Sequence, residues 1–199
     1  RADYAAQCEE NGFPFIEMTS WFQALKEADT LPDSLISQTG AHWGFSSVLA
    51  ADSLLRLMET LKGEPLPQLA IGPFHESADS TQNDDHDLEM NLNLIRPLPH
   101  PYDRLYDADV TVMADSTVKK PKVLFIGNSY LWRMHYYIPF DEIFAQSEFW
   151  FYNSTAYFGP NYSQQAKVLQ LDMIEKLLDA DYVVWFTTGN QMYKATYGF

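Results

Sequence analysis

Apolar residues recur at helical spacing over residues 45–61, carried by Val48, Leu49, Leu54, Leu55, Leu57, Met58 and Leu61, and the pattern closes at Gly63. A second helical pattern covers 163–178, carried by Val168, Leu169, Leu171, Ile174, Leu177 and Leu178. Residues 122–127 (Lys-Val-Leu-Phe-Ile-Gly) form instead a continuous apolar run, typical of a strand covered on both faces. Residues 148–153 and 182–187 predict two more strands, and 130–144 predicts a helix after the first. Earlier in the chain, 2–11 reads as a helix closed by Gly12, 13–18 as a short strand, and a helix capped by Thr19 or Ser20 runs through Lys26. Residues 31–44 are loop-like, with Pro32, Ser34, Ser37, Thr39 and Gly40. In the middle, 63–82 reads as a wandering surface segment with Pro65, Pro67, Gly72 and Pro73. An acidic helix is expected from Asp84 towards Leu94, an edge strand over 107–113 and a polar connector over 114–121.

Strands separated by helices imply parallel crossovers, so the expected fold class is α/β, a three-layer sandwich around a mostly parallel sheet. One domain over 1–199 is expected, with an irregular insertion around 63–120. The chain starts at Arg1 without Met and reads as an excised or processed piece. No apolar stretch reaches the length of a membrane span, and no signal peptide is visible.

Composition changes the picture in three places. Lys plus Arg number 13 against 27 for Asp plus Glu, a net charge of -14 that repels phosphate backbones and excludes nucleic acid as an expected partner. The same field favours a neutral glycan over a polyanionic one, except where a local patch around Arg133 reverses it. Aromatics make up 15% of the chain, which suits either a packed core or a sugar-facing cleft. Cys8 is the only cysteine, so no internal disulfide forms.

Ligands of an open parallel sheet bind beyond the carboxyl ends of its strands. The residues expected there are Gly127-Asn128-Ser129-Tyr130, then Asn153, Ser154 and Thr155 with Gly159 further on, then Thr188, Gly189 and Asn190. Two readings of Ser129 stand at this point: a helix cap, the common task of a serine after a strand, or a nucleophile facing the helix's positive end. A serine nucleophile needs a base, usually histidine. Of five histidines, His75, His86 and His100 lie in polar or Pro-rich segments, and His135 lies inside the helix expected after Ser129. His42, in the loop Thr39-Gly40-Ala41-His42-Trp43-Gly44, is placed either to reach over a sheet edge or to sit as a satisfied loop residue. The acidic run Asp84-Asp85-His86-Asp87 lacks the spacing of a calcium loop, and the lone Gly127 and Gly189 make no dinucleotide fingerprint. No metal, dinucleotide or other cofactor is expected.

The pairing of His42-Trp43 with a later strand and Gly127-Asn128-Ser129-Tyr130 resembles the SGNH-hydrolase-like acetyltransferase domains of the alginate O-acetylation proteins AlgX and AlgJ. There an Asp-x-His-Trp motif precedes a Gly-Asp/Thr-Ser-Phe/Tyr motif, in the same order and at a similar spacing. The resemblance implies an SGNH-like sandwich with Ser129 as the acetyl-carrying nucleophile and His42 as general base. It implies an oxyanion hole completed by Gly159 and Asn190, with Tyr130 and Arg133 in the oxyanion and substrate-binding set. The acid does not carry over, because Gly40 stands where the family has Asp and Asn128 where many relatives have Asp. A backbone carbonyl, Thr39 or Ser37 orienting His42, a substitute carboxylate such as Asp33, and an inactive site are the three outcomes that follow. The implied activity is O-acetyl transfer to a cell-surface or exported bacterial polysaccharide, with acetyl-ester hydrolysis or non-catalytic glycan binding as alternatives. The implied setting is extracytoplasmic, periplasmic or cell-surface, with the acetyl donor supplied by a membrane partner protein.

Overall fold

The computed structural model describes residues 2–28, 42–45, 47–76, 88, 91–92, 96, 106–113, 115 and 117–188. The chain divides into two compact units, residues 1–33 and 34–199. No helix among the described residues is long and apolar enough to cross a membrane.

The first unit is a helix pair. Helix α1 (Ala2–Glu10) ends at Gly12, as its pattern predicts, with the Phe13 N–H donating to the Cys8 carbonyl at 2.8 Å. Residues 13–17, expected as the start of a strand, form none, and Phe13 and Phe15 are exposed. Met18 instead opens helix α2 (Met18–Glu27). The cap is neither Thr19 nor Ser20 but Glu17, whose carboxylate accepts from the Ser20 N–H at 2.7 Å. Hydrogen bonds from Ser20 hold that carboxyl below the usual range.

The second unit is α/β and is built on five strands. Helix α3 (Ser47–Lys62) buries Val48, Ala50, Ala51, Leu55 and Met58 on one face, and Gly63, at φ +66°, ends it in the left-handed region that glycine adopts without strain. The segment expected to wander forms an antiparallel ribbon. Strand β1 (Gln68–Ile71) and β2 (His75–Glu76) pair with β4 (Val110–Met113) and β3 (Tyr106–Asp107), with Gln68 opposite Met113 and Glu76 opposite Tyr106. Leu66 and Leu69 are buried, which a free surface segment would not achieve. The expected acidic helix falls almost wholly outside the described residues.

Strand β5 (Lys122–Gly127) matches its predicted bounds and is buried throughout except at Lys122. Helix α4 (Tyr130–Tyr137) and the short α5 (Phe140–Ile143) follow where one helix was expected. Pro139 separates them, since Ile138 before it is extended (φ -124°, ψ 126°) as a residue preceding proline prefers. Strand β6 (Gln146–Phe151) runs parallel to β5. A tight turn then sends the chain back through β7 (Thr155–Phe158) and β8 (Gln164–Lys167), both antiparallel to their neighbours. Helix α6 (Met173–Asp179) leads to β9 (Tyr182–Phe186), parallel to β5. The five-stranded sheet has the order β8-β7-β6-β5-β9, so two of its four pairings are antiparallel where a mostly parallel sheet was expected.

The expected helix over 163–178 is corrected to a strand, a 3-10 turn over Val168–Gln170 and a shorter helix. Of its apolar set, Val168 is fully buried, while Leu169, Ile174 and Leu178 are exposed. One sheet face carries Leu124, Ile126, Trp150 and Ala156, packed with Val168, Leu171, Met173 and Leu177. On the other, Phe125 stacks on Phe140 at 5.3 Å and Phe149 meets Trp132 edge-on at 5.1 Å. Each such fully buried side chain contributes about 1.5–3 kcal/mol of transfer free energy.

Candidate active site

Gly127 ends β5 in close contact with β9. A side chain there would meet the Phe186 carbonyl oxygen of β9 at 2.7 Å and the Phe186 Cβ at 2.9 Å, so only glycine fits. The chain then turns into α4 through Asn128, which is fully buried. Its Nδ2 donates to the Thr188 hydroxyl at 3.1 Å, and its Oδ1 accepts from the Tyr130 N–H at 3.2 Å. Asn128 therefore does the local work of a cap and ties the turn to the end of β9.

Ser129 is relieved of that task. It sits at φ -61°, ψ -18° and its side chain makes no capping bond. Its Oγ lies 2.7 Å from His42 Nε2, a residue 87 positions earlier in the chain. With Nε2 unprotonated, the hydroxyl donates and the imidazole accepts, the arrangement of a nucleophile and its base. Of the two readings of Ser129 left open by the sequence, the cap is not the one observed.

The histidine loop is held by one face of α4. Tyr130, Arg133 and Tyr137 lie three and four residues apart, hence on one side of the helix. The Trp43 ring stands edge-on to Tyr130 at 5.3 Å and to Phe186 at 5.6 Å, and the His42 ring lies 5.3 Å from Tyr130. Arg133 Nε donates to the Trp43 carbonyl at 2.9 Å, and its Nη2 donates to the Tyr137 hydroxyl at 3.0 Å. Phe45, which is buried, stands edge-on to Tyr137 at 5.2 Å.

Of the expected substrate-binding set, Tyr130 is at the site, against both His42 and Trp43. Arg133 is close by but only 5% exposed, and its guanidinium is engaged with the loop main chain and Tyr137, which corrects its assignment as a group facing substrate or oxyanion. Gly159 is a second correction. Because β7 runs antiparallel to β6, with Phe151 opposite Thr155 and Phe149 opposite Tyr157, the chain reaches Gly159 at the opposite end of the strands from Ser129. There it opens the 3-10 turn Pro160–Tyr162 at φ +74°. Asn190 lies outside the described residues, as do Asp33, Ser37, Thr39 and Gly40.

In place of Gly159, the end of the sheet that carries Ser129 receives the β6–β7 turn. Tyr152 and Asn153 both have positive φ (50° and 49°), Ser154 N–H donates to the Phe151 carbonyl at 3.0 Å, and Tyr152 N–H donates to Gly127 at 2.7 Å. These are the features of a type I′ hairpin turn. Its main-chain N–H groups are committed to main-chain carbonyls, so they offer no oxyanion donor. The Ser129 N–H, by contrast, bonds to none of the described residues, and it lies at the positive end of α4. Asn128 and Arg133 were legible only as neighbours of Ser129; the Tyr130-x-x-Arg133-x-x-x-Tyr137 spacing was the available sign that this helix face grips a partner segment.

In comparison with known proteins, no family model, no curated protein and no solved structure matches the chain.

Proposed function

We propose that this chain is an SGNH-hydrolase-like domain that transfers an acetyl group to a glycan hydroxyl through an acetyl-Ser129 intermediate. The single observation that carries the proposal is the 2.7 Å approach of His42 Nε2 to Ser129 Oγ at the carboxyl end of β5, a strand with parallel neighbours on both sides. Release of the Ser129 side chain from capping, and the elements packed on both sheet faces, support it further.

The reaction divides into two acyl transfers. Ser129 Oγ attacks the acetyl carbonyl of the donor as His42 Nε2 takes the hydroxyl proton, and the carbonyl π pair moves to oxygen. The Ser129 N–H and the start of α4 stabilise that oxyanion. Collapse re-forms the carbonyl and breaks the bond to the leaving group, which takes the proton from His42. A sugar hydroxyl then attacks the acetyl-serine, gives its proton to His42, and leaves as the acetyl ester while Ser129 recovers its hydroxyl. The setting expected with this reading is the cell envelope, with a partner at the membrane supplying activated acetyl groups. Water in place of the sugar makes the same site an esterase.

A fluorophosphonate probe tests the dyad, and mass spectrometry of a neutral oligosaccharide incubated with an acetyl-ester donor tests the transfer. Labelling is expected at Ser129 and lost in Ser129→Ala, and His42→Gln is expected to slow turnover by about 10²–10⁴-fold, the scale of general-base catalysis. A wild-type protein that neither reacts at Ser129 nor acetylates an acceptor overturns the proposal; acetate release with no gain of acceptor mass leaves hydrolysis in place of transfer.

A further inference from the structure

We infer that Arg133 is a positioning residue which sets the His42–Ser129 geometry by gripping the main chain of the histidine loop. The inference rests on the dyad reading above and assigns a task within it.

The argument begins with the cost of the residue. A guanidinium that is 5% exposed has given up most of its hydration, and such groups persist only where fixed acceptors replace water. Arg133 Nε donates to a main-chain carbonyl, that of Trp43, at 2.9 Å. Trp43 directly follows His42, so restraining this carbonyl restrains the backbone from which the imidazole projects. The planar head is itself fixed by the Tyr137 hydroxyl at 3.0 Å and lies over the Tyr137 ring at 5.2 Å. Arginine suits this task because its donors diverge in a rigid fork, whereas lysine offers one compact head.

The position of Arg133 along α4 matters as much. Ser129 stands at the start of the helix and Arg133 one turn later, so a single rigid element carries the nucleophile and the anchor of its base. Movement of α4 relative to the sheet then carries both groups together and preserves their separation. The loop is also held by ring contacts of Trp43 with Tyr130 and Phe186 and of Phe45 with Tyr137, and by bonds from the Ser47 and Val48 N–H groups to the Gly44 and Phe45 carbonyls. The bond from Arg133, however, acts on the residue directly after His42 and ties it to the helix that begins at Ser129. A displacement of about 1 Å at a reacting pair is enough to cost about 100-fold in rate.

The test compares Arg133→Met, Arg133→Lys and Tyr137→Phe with wild type on a small acetyl ester, alongside the rate of fluorophosphonate labelling and the thermal midpoint. Arg133→Met is expected to lower kcat and the labelling rate about 100-fold with KM unchanged. Added methylguanidinium is expected to restore part of the loss, which it would not do for general destabilisation. Arg133→Lys is expected to recover less than half of the lost rate. Should Arg133→Met fail to fold, Tyr137→Phe decides: it keeps the guanidinium but loosens it, and about a tenfold fall in kcat is expected, roughly the worth of one hydrogen bond. A folded Arg133→Met that labels at the wild-type rate, or a Tyr137→Phe with wild-type kcat, overturns the inference while leaving the dyad standing. Wild-type protein that does not label at Ser129 removes the dyad instead.

Discussion

Gly127 and Asn128 carry much of what makes Ser129 available. Gly127 lets β9 approach to where no Cβ fits, and Asn128 takes over the bonds that a serine at a helix start would otherwise make. Gly127→Ala is therefore expected to force Phe186 aside, destabilising the protein by about 1–3 kcal/mol and displacing the turn that holds Ser129. Urea unfolding read beside the labelling rate checks both effects, and an unchanged midpoint would mean that β9 yields freely. At this scale the sequence was informative about identity and less so about task. His42 and Ser129 stood out as a possible pair because of residue type and place, and the fold brings them together. Gly159 and Arg133 were assigned by position alone, and what relocated them, a reversal of strand direction and a carbonyl needing a donor, are properties of packing that no single residue announces.

Elements with strong local signals were legible and those decided by pairing were not. The run 122–127 is a strand because an unbroken apolar sequence has no polar face to expose, and 45–61 is a helix whose buried residues Val48, Ala51, Leu55 and Met58 recur every three or four positions. Residues 164–167 are polar except at Ala166 and sit at the sheet's edge, where exposed glutamine and lysine side chains keep a strand from recruiting others. Their pairing with β7 overrides the helical spacing of the leucines that follow. The true helix start was written nearby, as Asp172 accepts from the Glu175 N–H at 3.0 Å, a cap signal outweighed by the longer pattern. Helix α4 also carries His135, stacked on Tyr162 at 4.5 Å, where burial pushes its pKa below the ordinary 6.5 and Asp141 only partly opposes this. The unfolded chain then binds a proton at His135 more readily than the native one. Stability from this group is complete above about 6.5 and lost as the pH falls from there towards the lowered native value. Relative to wild type, His135→Phe is expected to flatten the pH dependence of the denaturation midpoint in that window; parallel curves for the two proteins would refute the assignment.

Across the whole molecule, the net charge of -14 sets the field an acceptor meets on approach. A uronic-acid oligosaccharide is repelled at long range, and salt screens that repulsion within about 10 Å at 0.1 M. If glycan transfer is the activity, kcat/KM for anionic acceptors is expected to rise with ionic strength while that for neutral ones stays level. Faster turnover of the anionic sugar at low salt would reveal an attractive patch that the overall charge conceals. The ribbon of β1 to β4 has a separate consequence. Since 68–76 pairs with 106–113, the chain leaves α3 and returns towards β5 through a zipped stem. Whatever is spliced into or trimmed from the stretch beyond that stem changes a closure entropy that grows only logarithmically, by about 0.6 kcal/mol per doubling. A version of this chain lengthened or shortened by dozens of residues at this one place can therefore keep His42 and Ser129 in register.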